Sequence, residues 1–145
     1  MKPIRITRPV FQAYSIAAIL LGSATLSLAA SSTDRIIQPV GNVSYVSGGV
    51  GTESIDQLES ISSQFNLKLI FALKSGEYLS GVHIAISNAK GKSILDTTSE
   101  GPWFMTKLPV GHYQVVATSA GKVQKRQVDV DGTKLKTVDF RWGSE

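Results

Sequence analysis

The chain of 145 residues has no cysteine. Disulfides are therefore excluded, and so is a lipid anchor on a cysteine behind an export signal. Histidine is almost as scarce, with His83 and His112 the only two. A structural metal site needs about four Cys, His or carboxylate ligands at suitable spacing. Two distant histidines do not supply them, so no metal is expected. There is no Gly-x-Ser-x-Gly nucleophile turn, and the Ser and Thr residues are scattered. Asp96 and Glu100 form a carboxylate pair on paper, but they flank a turn, where acids are solvated or bond nearby backbone. The expectation is a non-enzymatic protein with no catalytic residues and no cofactor.

Long apolar runs are absent except at the N-terminus. Lys2, Arg5 and Arg8 precede an apolar stretch, Ile16 to Leu28, which ends in the small residues Ser27-Leu28-Ala29-Ala30-Ser31. A basic start, an apolar middle and a small-residue cleavage site make an export signal, expected over residues 1–30. The protein is then periplasmic or secreted, with a mature chain of about 115 residues, near the size of one domain. The alternative is an uncleaved anchor in the inner membrane, because Phe11 to Ala30 matches the ~20 residues that cross a bilayer. Gln12, Ser15, Gly22, Ser23, Thr25 and Ser27 dilute that stretch, which favours cleavage. Membrane contact is expected only if the signal is retained.

Charge of one sign is also scarce. The chain carries 15 Lys and Arg against 11 Asp and Glu. Three of the bases and none of the acids lie in the signal, leaving 12 against 11. A nearly neutral mature chain gives no electrostatic reason to bind nucleic acid. Lys122, Lys125 and Arg126 are the only basic cluster, suited to a strand edge where Lys discourages aggregation.

Residues 31–50 read as a mostly flexible leader with one strand-like piece, Val43 to Val46. Gly48-Gly49-Val50-Gly51 leads into a helix expected over 51–66. Thr52 or Ser54 can cap it, Glu53 and Asp56 suit its first turn, and Ile55, Leu58, Ile61 and Phe65 form an apolar stripe. Asn66 is the expected stop. Gly49-x-Gly51 after a strand-like piece mimics a dinucleotide fingerprint, but Ser54 stands where the third glycine belongs.

From Leu67 the period changes to two. Strands are expected at Leu67–Leu73, Val82–Ser87, Ser93–Thr98, Pro102–Leu108, His112–Thr118, Lys122–Val130 and Lys134–Trp142. Turn residues separate them, and Asp131-Gly132 is a hairpin signal. Seven short strands at regular spacing argue for an all-β, seven-stranded antiparallel β-sandwich over residues 67–145, preceded by one short amphipathic helix.

The segment Asp96 to Phe104, followed by Leu108-Pro109-Val110-Gly111-His112-Tyr113, carries a family pattern. Gly101, Phe104, Leu108, Pro109, Gly111 and Tyr113 fall where carboxypeptidase regulatory-like domains have a Gly and aromatic, then Leu-Pro-x-Gly-x-Tyr. The stretch Leu67 to Trp142 resembles those domains, which have a transthyretin (prealbumin)-like, carbohydrate-binding-like fold. The combination of Tyr45 to Gly51, a helix and Gly101-Pro102-Trp103 resembles a subset of small exported proteobacterial proteins. The helix followed by Leu67–Leu73 also resembles short periplasmic domains of secretins and outer-membrane receptors, though the rest of the chain does not continue that fold. The first resemblance implies a module that assists spacing or partner contact rather than chemistry. It implies that Leu108 plugs the core and that Tyr113 buries its ring and bonds nearby backbone.

The candidate contact residues are Trp103, Phe104, Tyr113 and Trp142, with Phe140 beside them. Rings exposed together would stack on glycans or anchor an envelope protein. The competing expectation is that they fill the core. Trp103, next to Pro102 at a strand start, is the one expected to be partly exposed.

Overall fold

A computed structural model describes residues 37–132 and 134–143. The expected export signal and the first part of the expected leader lie outside the described residues. The described residues form nine strands, one helix and one 3-10 turn. They are β1 (Gln38–Val40), β2 (Val43–Gly48), α1 (Thr52–Ile61), the 3-10 turn Ser62–Gln64, β3 (Leu67–Leu73), β4 (His83–Asn88) and β5 (Ser93–Thr98). β6 (Trp103–Lys107), β7 (Gly111–Ser119), β8 (Lys122–Val130) and β9 (Lys136–Trp142) follow.

The strands form two sheets, ordered β1-β2-β6-β3-β9 and β5-β4-β7-β8. Alternation explains how they meet. Leu67, Leu69 and Phe71 of β3, Phe104 of β6 and Phe140 of β9 turn to one side. Ile84, Ile86, Leu95, Val115, Ala117 and Val128 of the other sheet meet them in one buried cluster. Each of these side chains larger than alanine contributes about 1.5–3 kcal/mol by leaving water. The result is a sandwich-like, mostly β architecture whose stability rests on this shared interior.

Three features differ from the expectation. First, nine strands form the sheets, not seven. The leader expected to run to residue 50 supplies β1 and β2, and β2 pairs along its length from Ser44↔Lys107 to Gly48↔Trp103. Val43 and Val46 are buried there, which gives this stretch the apolar anchors a flexible leader lacks. Second, not all pairing is antiparallel. β3 and β9 run parallel, from Leu67↔Lys136 to Leu73↔Trp142. The turn at Asp131-Gly132 closes no hairpin, because it carries the chain from β8 in one sheet to β9 in the other. Third, the helix ends at Ile61, not Asn66.

The helix start is also built differently. Gly51, at φ +82°, is the N-cap and provides no side-chain cap. The Ser54 hydroxyl instead accepts the Gly49 N–H at 2.9 Å. Leu58 and Ile61 of α1, with Phe65 beyond it, pack on Val46 and Met105. The apolar stripe thus covers the outer face of the five-stranded sheet, and helix, large sheet and small sheet form three layers. Asn66 is a buried clamp rather than a stop. Its side chain bonds both backbone groups of Leu108, and its own N–H and C=O meet Thr106 and Lys136.

Candidate functional site

The four candidate contact residues are not gathered on one surface. Phe104 and Trp142 are buried, and so is Phe140. Phe71, Phe140 and Trp142 pack ring against ring inside the sandwich, and Phe104 stacks on Tyr45 at 5.1 Å. Tyr113 is buried as well, and its hydroxyl donates to the Pro109 C=O at 2.6 Å. Burial raises its phenol above the ordinary value. Leu108, just ahead of the Pro109-Val110 turn into β7, is in the same core. Of the four, Trp103 alone keeps an exposed portion.

Trp103 projects from the start of β6 onto the outer face, beside the helix cluster. The Lys68 Nζ sits 3.2 Å from the centre of its ring. Partial burial lowers the Lys68 pKa, and the charges of Glu59 and Asp139 oppose that shift. Gly49 lies against the indole so closely that a Cβ there would come 2.9 Å from Trp103 Cγ. The ring is therefore backed by glycine and covered by an ammonium group, an attraction worth about 0.5–1 kcal/mol at an exposed site.

The Ser47-Gly48-Gly49 and Gly101-Pro102-Trp103 segments pack backbone to backbone beneath this indole. Ser47 donates its hydroxyl to the Trp103 C=O and accepts the Glu100 N–H. A Cβ on Gly101 would fall 2.2 Å from the Gly48 carbonyl oxygen. The glycine-rich stretch that mimics a dinucleotide fingerprint thus has two structural tasks here. Gly49 receives Trp103, and Gly51 opens the helix.

Each histidine pairs with an aspartate on the outer face of the small sheet, and the Asp96–Glu100 carboxylate pair is replaced by Asp96 with His83. His83 Nε2 meets Asp96 Oδ1 at 2.7 Å. His112 Nδ1 meets Asp129 across the β7–β8 pairing, and this hydrogen bond is the largest cause of the lowered Asp129 pKa. Both pairs are exposed, and such pairs contribute little stability. Among the described residues, no group of three or more His, Asp or Glu is placed to hold a metal ion.

The sheet edges differ from one another. β8 is stitched to β9 by Trp142 Nε1 donating to the Lys122 C=O at 3.0 Å and by Gln124 Nε2 donating to the Arg141 C=O. β8 also carries Lys122, Lys125 and Arg126, which blunt its edge. β1 is three residues long with Pro39 in its middle, where an N–H is missing. β5, Ser-Ile-Leu-Asp-Thr-Thr, has no Pro, Lys or Arg. Beside it lies a cavity of 320 Å³, between Val40, Val43, Ile94 and Pro109, with Lys92 at its mouth. Sequence reasoning missed both this cavity and Lys68. β1 is too short to show a period, and a cation over a ring depends on pairing between strands far apart in sequence. No protein-family model matches this chain, and no curated protein sequence matches it.

Proposed function

We propose that this chain is a non-enzymatic, exported accessory module of a bacterial cell envelope that binds a protein partner through a sheet edge. The observation that carries this reading is the edge of β5 beyond its bulge at Ile94, which no described strand covers and which has no Pro, Lys or Arg, in a fold whose other three edges are stitched, basic or interrupted by proline. Exposed edges of that kind recruit an added strand. The N-terminal sequence supports export. The resemblance to carboxypeptidase regulatory-like, transthyretin-like domains supports an accessory role, and the Leu108–Tyr113 segment packs as that resemblance implies.

The test is co-purification. A C-terminally tagged protein, lightly crosslinked in living cells and purified from the envelope fraction, is expected to bring down one abundant envelope protein. The same mass spectra read the mature N-terminus, expected near Ala29 or Ala30. Recovery of the protein alone would overturn the reading.

A glycan-binding reading rests on Trp103, which is partly exposed on the outer face. The Lys68 ammonium covers the ring on which a sugar would stack. A tryptophan-fluorescence titration with cell-wall glycans separates the two readings. A saturable shift that strengthens in Lys68→Ala favours glycan, and a flat titration favours the protein partner.

A further inference from the structure

The two sheets are unequal, and the inequality falls at one end. At the closed end β9 lies against β8, joined by the Trp142–Lys122 and Gln124–Arg141 bonds. At the other end the Tyr45 hydroxyl of β2 lies 3.2 Å from Thr97 Oγ1 of β5, so β2 stands over β5. The larger sheet then continues by one more strand, β1. Nothing among the described residues faces β1 from the smaller sheet. Val40 pairs with Val43, so both side chains lie on the inner face, yet Val40 is 38% exposed while Val43 is buried at 6%. Among the described residues, no strand lies opposite Val40 in the position next to β5.

The backbone of β5 is suited to filling that position. The Ser99 N–H donates to the Val82 C=O and the Val82 N–H donates to the Ser99 hydroxyl, so Ser99 turns its bonding groups toward β4. Antiparallel bonding alternates, so Thr97 exchanges bonds with Ile84 and Leu95 with Ile86. Asp96 and Thr98 therefore turn their N–H and C=O groups outward, toward that position. The cavity of 320 Å³ lies further back along the same edge, where Ser93 and Ile94 begin β5. A dry cavity of about 150 Å³ holds benzene, so this one has room for two aliphatic side chains.

We infer that this position receives a lone extended strand of a partner polypeptide, which pairs with β5 and inserts alternate aliphatic side chains against Val40, Val43 and Ile94. The inference rests on the reading of the chain as a partner-binding module and names the edge and the kind of partner. Lys92 is the one charged residue of the cavity lining, so an acidic residue of the partner strand belongs beside it. A second copy of this chain does not fit. Its β5 comes with its own β2 stacked above it, and that strand would need the space β1 occupies. The position is one strand wide, about 4.8 Å, and suits a segment without a second layer.

The test is selection of a displayed library of random short peptides on the full protein. The expected result is enrichment of sequences alternating aliphatic and polar residues with an acid among them. Bound peptide should protect the Asp96 and Thr98 amides from hydrogen exchange and shift the methyl signals of Val40, Val43 and Ile94. N-methylation of alternate peptide amides should abolish binding. Thr98→Pro removes an outward N–H without touching the β4 ladder, and should weaken binding about tenfold or more, the equivalent of one or two hydrogen bonds.

No enrichment, protection of β8 or β9 instead, or tolerance of N-methylation would overturn the inference. Self-association relieved by Thr98→Pro would overturn it in favour of a second copy. If the peptides fail and co-purification still recovers an envelope protein, the module reading stands without this edge. If the peptides bind at β5 and no envelope protein co-purifies, the edge stands and the cellular role falls.

Discussion

The side chain of Asn66 grips the backbone of Leu108 from both sides, accepting its N–H at 2.9 Å and donating to its C=O at 2.7 Å. Asn66 is 2% exposed and Leu108 is 2% exposed, so water reaches neither bond. The amide stands in for a strand residue at the point where β6 leaves the sheet. Asn66→Ala strands two buried backbone groups. The expected loss is about 2–6 kcal/mol at 1–3 kcal/mol for each group, read from urea unfolding. A loss under about 1 kcal/mol would mean that the site rearranges to re-pair Leu108.

Gly101 tolerates no side chain for a reason of space. An added Cβ would meet the Gly48 carbonyl oxygen at 2.2 Å, the Gly48 carbonyl carbon at 2.5 Å and its Cα at 2.9 Å. All three are backbone atoms of a paired strand, so none can swing aside. Gly101→Ala is expected to cost about 3 kcal/mol or more, the upper end of overpacking effects, and to lower the melting temperature accordingly.

Tyr113 makes stability sensitive to alkali. Burial raises its phenol above the ordinary value of 10.0, so the folded state holds this proton more tightly than the unfolded chain. Stability is then unaffected below pH 10 and falls as pH rises through and above it. Tyr113→Phe should lose about 0.5–1.5 kcal/mol near neutral pH with its bond to Pro109. It should also flatten the alkaline decline. Urea midpoints measured from neutral to strongly alkaline pH check both.

His112 and Asp129 give the opposite sign. The hydrogen bond from His112 holds the Asp129 carboxyl below the usual 3.8, followed by the charge of His112. What the pair contributes is present above that value and lost as pH falls through the lowered one. His112→Ala should let the carboxyl return toward 3.8, followed by carboxyl-carbon NMR. Both groups are exposed, so no measurable change in unfolding at neutral pH is expected.

The strands from Leu67 onward were legible because a half-buried strand writes its burial into alternate residues. Ser93–Thr98 and Lys122–Val130 are bounded in the structure as their turn residues mark them. Three residues of β1 cannot carry a period, while of β2 the piece Val43 to Val46 was readable as strand and its pairing in the sheet was not. The parallel pairing of β3 and β9 was hidden for another reason. It depends on which sheet the chain enters after Gly132, and no local pattern records that choice. Tyr113 was readable as a buried corner from the Leu-Pro-x-Gly-x-Tyr spacing. Phe104 and Trp142 were not distinguishable from surface rings, since an aromatic suits either side of a strand until the neighbouring sheet is known.

The parallel pairing of β3 with β9 sets an order of events for folding. β3 lies between β6 and β9, and its pairing with β9 joins residues 69 positions apart, Leu67 with Lys136. Until β9 pairs, Leu69 and Phe71 keep a flank open to water. Contacts between such distant segments fold slowly, on the scale of milliseconds to seconds. Closure of the interior therefore waits on the most distant pairing of the larger sheet.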